Sequence, residues 1–184
     1  GSASRDLLRQ SSESLAGRIS YKQLSPFIFD ELPENIVLSN YITQGGFPKS
    51  VVTPSEISAE WRKNFITTFL ERDLLQWKNF TPTIMRRLWM MIAHNNGQTI
   101  NYSEFAKSLG VNNSTVKNYI DLLEATFMLF VIPPYISNKG KRLVKAPKIY
   151  IADSGICTSL LSIYNFETLL GNIALGSIWE QIVI

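Results

Sequence analysis

GQTINYSEFAKSLGVNNSTVKNYIDLLEATFML, residues 97–129, reads as two short helices joined by a tight turn. Phe105, Ala106 and Leu109 recur at helical spacing behind Ser103, which is placed to cap the first helix. Gly110 stands where that helix must stop, a left-handed position that glycine accepts without a Cβ clash. Val111 fills the turn. Asn113 or Ser114 is placed to cap a second helix, whose apolar side is Val116, Tyr119, Ile120, Leu122 and Leu123. The spacing Ala106, Gly110, Val116 suits two helices that cross closely at a steep angle.

Downstream, MLFVIPPYI (128–136) and KIYIAD (148–153) have the composition of two hairpin strands, joined by SNKGKRLVKAP (137–147). A helix-turn-helix followed by a hairpin is a winged helix. The expected fold class is mostly α with a small β component, an α-helical segment leading into a winged helix-turn-helix.

The hairpin connection also carries most of the basic character. Lys139, Lys141, Arg142, Lys145 and Lys148 are five of the chain's 18 cations, and without them 13 cations face 15 acids. An anionic partner should therefore be sought there first. As a plain structural feature, a lysine-rich hairpin tip is a solvated edge that resists strand-to-strand aggregation. Yet no acid lies among the five, and their mutual repulsion favours an anionic partner. At the start of the second helix, Asn112, Asn113, Ser114, Thr115, Lys117 and Asn118 offer groups that can meet base edges while the lysines meet phosphate. Against this, residues 101–130 carry Lys107 and Lys117 but Glu104, Asp121 and Glu124, a poor surround for a dedicated DNA reader. Winged helices also serve as docking modules, so both DNA and a partner protein or sister subunit stay open.

The 184 residues, 45% hydrophobic and 18% charged, suffice for one or two small globular domains. The single cysteine, Cys157, excludes an internal disulfide and suits a cytoplasmic location. The longest apolar run, 127–134, is too short to span a bilayer, so no membrane is expected as a partner.

Upstream, residues 5–18 fit a short amphipathic helix stopped by Gly17, and 19–27 a short strand ended by Pro26. Gly45-Gly46-Phe47-Pro48 reads as a turn. Ser55 is placed to cap a long helix with Ile57, Trp61, Phe65, Phe69 and Leu70 facing inward, and a second helix runs from Thr83 to Asn95. Arg72, within Glu71-Arg72-Asp73, is a surface or subdomain salt-bridge group. His94, the only histidine, suits a helix C-terminus better than catalysis. Asp153-Ser154-Gly155 is a turn or N-cap for a following helix, with no base or nucleophile to make a catalytic set.

Taken together, SRDLLRQSSESLAGRI (4–19), LSPF (24–27), GGFP (45–48), ERD (71–73), the helix-turn-helix, KRLVKAPKIYIADSG (141–155) and GSIWE (176–180) resemble the predicted AAA+ superfamily ATPases of bacteria and archaea. In that family a P-loop ATPase module comes first, a winged helix follows, and a domain similar to PD-(D/E)XK nucleases often closes the chain. The resemblance implies a middle piece with a remnant of the ATPase module at its start. Residues 1–29 would be the module's tail, 30–96 a helical linker or lid-like subdomain, 97–155 the winged helix, and 156–184 the start of the nuclease-like domain. It further implies a nucleotide-proximal role for Arg18, which as a residue following a glycine stop can equally bond helix-end carbonyls. Glu180 matches the acidic position of the nuclease-like domain's first helix.

No GxxxxGK[ST] occurs, and no apolar strand ends in Asp-Glu. The chain is therefore expected neither to bind ATP tightly nor to hydrolyse it, with ATP and Mg²⁺ belonging to the full-length parent and no metal or cofactor to this piece. Three readings follow: a regulatory or DNA-contacting winged-helix segment, a docking or oligomerisation arm, and a nuclease scaffold completed by residues elsewhere.

Overall fold

The computed structural model describes residues 24–74, 81–134 and 146–184. A 3-10 turn, Phe29–Glu31, precedes helices α1 (Leu38–Gln44), α2 (Pro48–Val51) and α3 (Ser55–Thr68), and α3 runs into a π-helical turn, Phe69–Asp73. Then come α4 (Pro82–His94), α5 (Tyr102–Leu109), α6 (Asn113–Ala125), β1 (Leu129–Ile132), β2 (Lys148–Ile151), α7 (Ser154–Leu160), α8 (Phe166–Leu170) and α9 (Leu175–Val183). The chain is mostly helical with one small antiparallel sheet. The helix expected over 5–18 and residues 19–23 of the strand expected over 19–27 lie outside the described residues, and residues 24–27 form no strand.

The two-helix unit forms as its periodicity dictates, but its caps are shifted. Asn101, not Ser103, caps α5: its Oδ1 accepts from the Glu104 amide at 3.2 Å and its own amide donates to Glu104 Oε2 at 3.2 Å. Asn112, not Asn113 or Ser114, caps α6. In both cases an asparagine one or two residues earlier wins because its acceptor reaches the third amide of the helix. Gly110 ends α5 at φ 69°, as expected. Behind the turn, Phe105, Ala106, Leu109, Val116, Tyr119, Ile120 and Leu123 are buried together.

β1 and β2 pair with Leu129 opposite Ile151 and Ile132 opposite Lys148. A third extended piece joins the other edge of β2. Gly97 N donates to Ile149 O at 2.8 Å, Ile149 N to Gln98 O at 3.1 Å, and Ile100 N to Pro147 O at 2.9 Å, with an antiparallel bridge between Thr99 and Lys148. The piece between α4 and α5 thus lies against the last strand, and the hairpin packs onto the helices through Ile149 and Ile151, both fully buried.

One core runs from Ile42 to Ile178. Met85, Leu88, Trp89 and Ile92 make the fully buried stripe of α4. Every residue of α7 is buried, as expected of a helix whose small and apolar residues go all the way round. Among the described residues no helix is long and apolar enough to cross a membrane.

The long helix α3 corrects the expected stripe. Ile57 points outward at 58% exposed, and the fully buried positions are Ser58, Arg62 and Ile66. Phe69 and Leu70 are buried as expected, just past the end of α3. Trp61 and Phe65 are half-buried and continue a ring ladder from Phe69 along the flank, with centroids 5.3 and 6.1 Å apart and Phe47 set against it. Nor does Ser55 cap α3: its hydroxyl accepts from Gln44 Nε2 at 2.8 Å. Glu71, Arg72 and Asp73 are exposed, and His94 ends α4.

Candidate functional site

The residues singled out at the start of α6 are together and on the surface, but several are already engaged. Asn112 Oδ1 accepts from the Ser114 hydroxyl at 2.7 Å, the Thr115 amide at 2.7 Å and the Thr115 hydroxyl at 2.8 Å. Asn113 donates to Ser103 Oγ at 3.2 Å, tying α6 to α5. Lys117 and Asn118, one turn on, are exposed. The face therefore offers Lys117, Asn118 and the remaining lone pairs of the hydroxyls, while Asn112 is chiefly structural. Accordingly, Asn112→Ala should cost about 1–2 kcal/mol in urea denaturation, and Asn112→Asp, which keeps the cap, should lie within about 0.5 kcal/mol of the parent. An alanine variant as stable as the parent would refute the capping role.

Of the five hairpin cations only Lys148 falls among the described residues; Lys139, Lys141, Arg142 and Lys145 lie outside them, as does Arg18. Lys148 opens β2 and is half-exposed. Its Nζ donates to Glu180 Oε1 at 2.7 Å and to the Tyr150 hydroxyl at 3.3 Å, and that hydroxyl donates to the same Glu180 oxygen at 2.8 Å. The Glu180 hydrogen bond holds the Lys148 ammonium above the usual lysine range, and Lys148 and Tyr150 together hold the Glu180 carboxyl below its own. Glu180 belongs to α9, which is fixed over this edge by buried Ile178 and by Asn96, whose amide donates to Gln181 Oε1 at 2.9 Å and Ser177 O at 3.3 Å.

A second polar cluster, absent from the sequence expectations, lies at the junction of α1, α3 and α7. Asp153 caps α7, accepting from Ile156 N at 2.9 Å, but its other oxygen accepts from Gly46 N at 2.8 Å across the fold. GGFP and Asp153-Ser154-Gly155 are thus two halves of one contact. Thr158 completes it by donating to Thr43 O at 2.8 Å, and Ser154 by donating to Tyr41 O at 3.3 Å. Arg62, fully buried, donates through Nη1 to the hydroxyls of Ser50 (3.0 Å) and Ser58, while its Nε and Nη2 have no partner among the described residues. Burial pushes the Asp153 carboxyl up, opposed by the Gly46 and Ile156 amides and by the Arg62 charge. Sequence signals for this cluster were the GGFP turn, the Asp153 cap and the register of Ser58 and Arg62, two turns and one turn before Ile66. Cys157 is a buried free cysteine whose thiol is pushed up by burial and by the Asp153 charge, which disfavours the thiolate.

The stretch from α1 into α8 that contains the helix pair, Arg62 and the GGFP–Asp153 contact is matched, over residues 36–167, by a sequence family described as a domain of unknown function, DUF8612. The chain belongs to that family. Glu180 and α9 lie beyond the matched stretch. Across its whole length the DUF8612 chain is 41% identical to uncharacterized proteins of Mycobacterium bovis and Mycobacterium tuberculosis, and it spans 42% of each of them. An uncharacterized protein of Methanocaldococcus jannaschii is 28% identical over 65% of the chain, which corresponds to 26% of that protein. No solved structure matches.

Proposed function

We propose that residues 97–155, with α5, α6, β1 and β2, form a winged helix and that this module contacts DNA, α6 toward a groove and the basic stretch toward phosphate. The observation that carries the reading is the pairing of residues 97–100 with the outer edge of β2. With it the order is extended piece, helix, turn, helix, strand, strand, the first piece lying against the last strand, and the first residues of α6 are exposed. In sequence, four further cations, Lys139, Lys141, Arg142 and Lys145, lie between β1 and β2. A middle position in a cytoplasmic AAA+-like ATPase is part of the same proposal. On that reading residues 1–29 are the tail of the ATPase module, 30–96 its lid-like neighbour and 156–184 the start of a nuclease-like domain. ATP and Mg²⁺ would bind the parent's P-loop module. The mycobacterial relatives, more than twice the length of the stretch they share with this chain, are where a GxxxxGK[ST] should be sought first.

The test is fluorescence anisotropy of a short DNA duplex titrated across salt. Binding should weaken with a log–log slope of roughly −4, one unit of about 0.9 for each cation on phosphate. Lys141→Ala/Arg142→Ala/Lys145→Ala should make that slope shallower by about 2 to 3. No binding at low salt, or unchanged binding by the triple variant, overturns the DNA reading. The engagement of Lys148 by Glu180 and the excess of acids over residues 101–130 favour a second reading, a docking arm toward a sister subunit. Concentration-dependent self-association in sedimentation, without DNA affinity, would select it.

A further inference from the structure

Lys148 has the right charge and place to meet phosphate, yet an acid of the same chain already holds it. We infer that Glu180 is an internal competitor for the DNA phosphate that Lys148 would otherwise bind, so that α9 limits the affinity of the winged helix. This inference rests on the DNA reading above and deepens it.

The geometry is that of a stand-in for phosphate. An anionic oxygen sits 2.7 Å from Nζ, within the range of a charge-assisted bond, and a second donor, the Tyr150 hydroxyl, converges on the same atom at 2.8 Å. The carboxylate is held in position from its own side. Ile178 is buried in the core two residues before it, and Gln181 and Ser177 are bonded to Asn96, which in turn accepts from Ile151 N of β2 at 2.9 Å. Gly97 leaves room for the arrangement, because a Cβ there would press on the Tyr150 ring at 3.2 Å and on Glu180 Oε2 at 3.3 Å. The acid is therefore presented by a fixed backbone, and the two charged side chains are about equally exposed. Exchange of partners needs only rotation of the Lys148 side chain and no movement of α9. As long as the carboxylate keeps the ammonium, Lys148 makes no phosphate contact and releases no counterion.

The experiment compares the parent, Glu180→Gln, Lys148→Ala and the double variant by anisotropy on one duplex across salt. Glu180→Gln keeps an acceptor for both donors and removes the charge. It is expected to steepen the salt slope by about 0.9, so that the ratio of affinities between about 50 and 200 mM salt grows about threefold. Lys148→Ala alone should leave the parent's slope in place, because its ammonium is already taken, and Lys148→Ala/Glu180→Gln should lose the gain. If the parent binds DNA and Glu180→Gln has the parent's slope, or keeps its gain without Lys148, the competitor role falls and the DNA reading stands. If none of the four binds, both fall. Should Glu180→Gln fail to fold, Lys148→Ala decides the matter: an unchanged slope supports the inference, and a slope shallower by about 0.9 overturns it.

Discussion

Gly45→Ala is expected to lower the stability of the chain by about 3–5 kcal/mol, read as a large fall in the urea midpoint of its helical circular dichroism. Two separate costs combine. Gly45 has φ 74° and ψ −172°, a backbone region that essentially only glycine occupies, and forcing a Cβ into it costs about 1–3 kcal/mol. The added methyl would also overlap the Asp153 carboxylate, buried and held by two amide donors, so the carboxylate cannot step aside without losing them. Overpacking of that kind typically costs about another 1–3 kcal/mol. Gly110→Ala separates the two terms. Its φ of 69° is also left-handed but nothing lies within 4 Å of the new methyl, so it should cost only about 1 kcal/mol. Equal losses at both positions would mean that the Gly45–Asp153 contact does not matter.

That contact also marks where the sequence stopped being readable. GGFP was legible as a turn and Asp153 as the cap of a helix, because each has a local physical reason. That they are one structure was not, since the bond joining Gly46 N to Asp153 spans 107 residues and neither motif carries any trace of the other. The helix pair was legible for the opposite reason: periodicity, the turn glycine and the following strands all lie within one stretch. Even there the caps shifted, because Ser103 and Asn101 are both competent and the choice turns on which acceptor reaches the Glu104 amide. The α3 stripe was misjudged by a rule that is usually sound. Apolar Ile57 was placed inside and Arg62 ignored, whereas the hydroxyls of Ser50 and Ser58 make a polar interior into which an arginine can fold. Glu180 was visible through family resemblance alone, and its bond to Lys148, 32 residues away, needed the fold.

Asp153→Ala should be the other severe substitution, costing about 3–5 kcal/mol. It removes the cap of α7, a loss of about 0.5–2 kcal/mol, and strips the buried Gly46 and Ile156 amides of their acceptors, each orphan costing about 1–3 kcal/mol. It also leaves Arg62 as a buried cation with two nitrogens unpartnered among the described residues and without the carboxylate that faces it. The individual costs overlap and do not add. Asp153→Asn should fall between, at about 1–3 kcal/mol, because its carbonyl can still cap α7 while its amide nitrogen faces the Gly46 N–H. Arg62→Met should cost less than Asp153→Ala. It forfeits the serine bonds but also removes two unsatisfied donors, and an apolar replacement of similar volume for a buried charge is often tolerated. If the two charges sense each other as the structure places them, the double variant Arg62→Met/Asp153→Ala will be more stable than the sum of the single losses predicts, by about 0.5–3 kcal/mol. Simple additivity in that cycle would mean that Arg62 is held by Ser50 and Ser58 alone and that Asp153 acts only through the backbone it caps and ties.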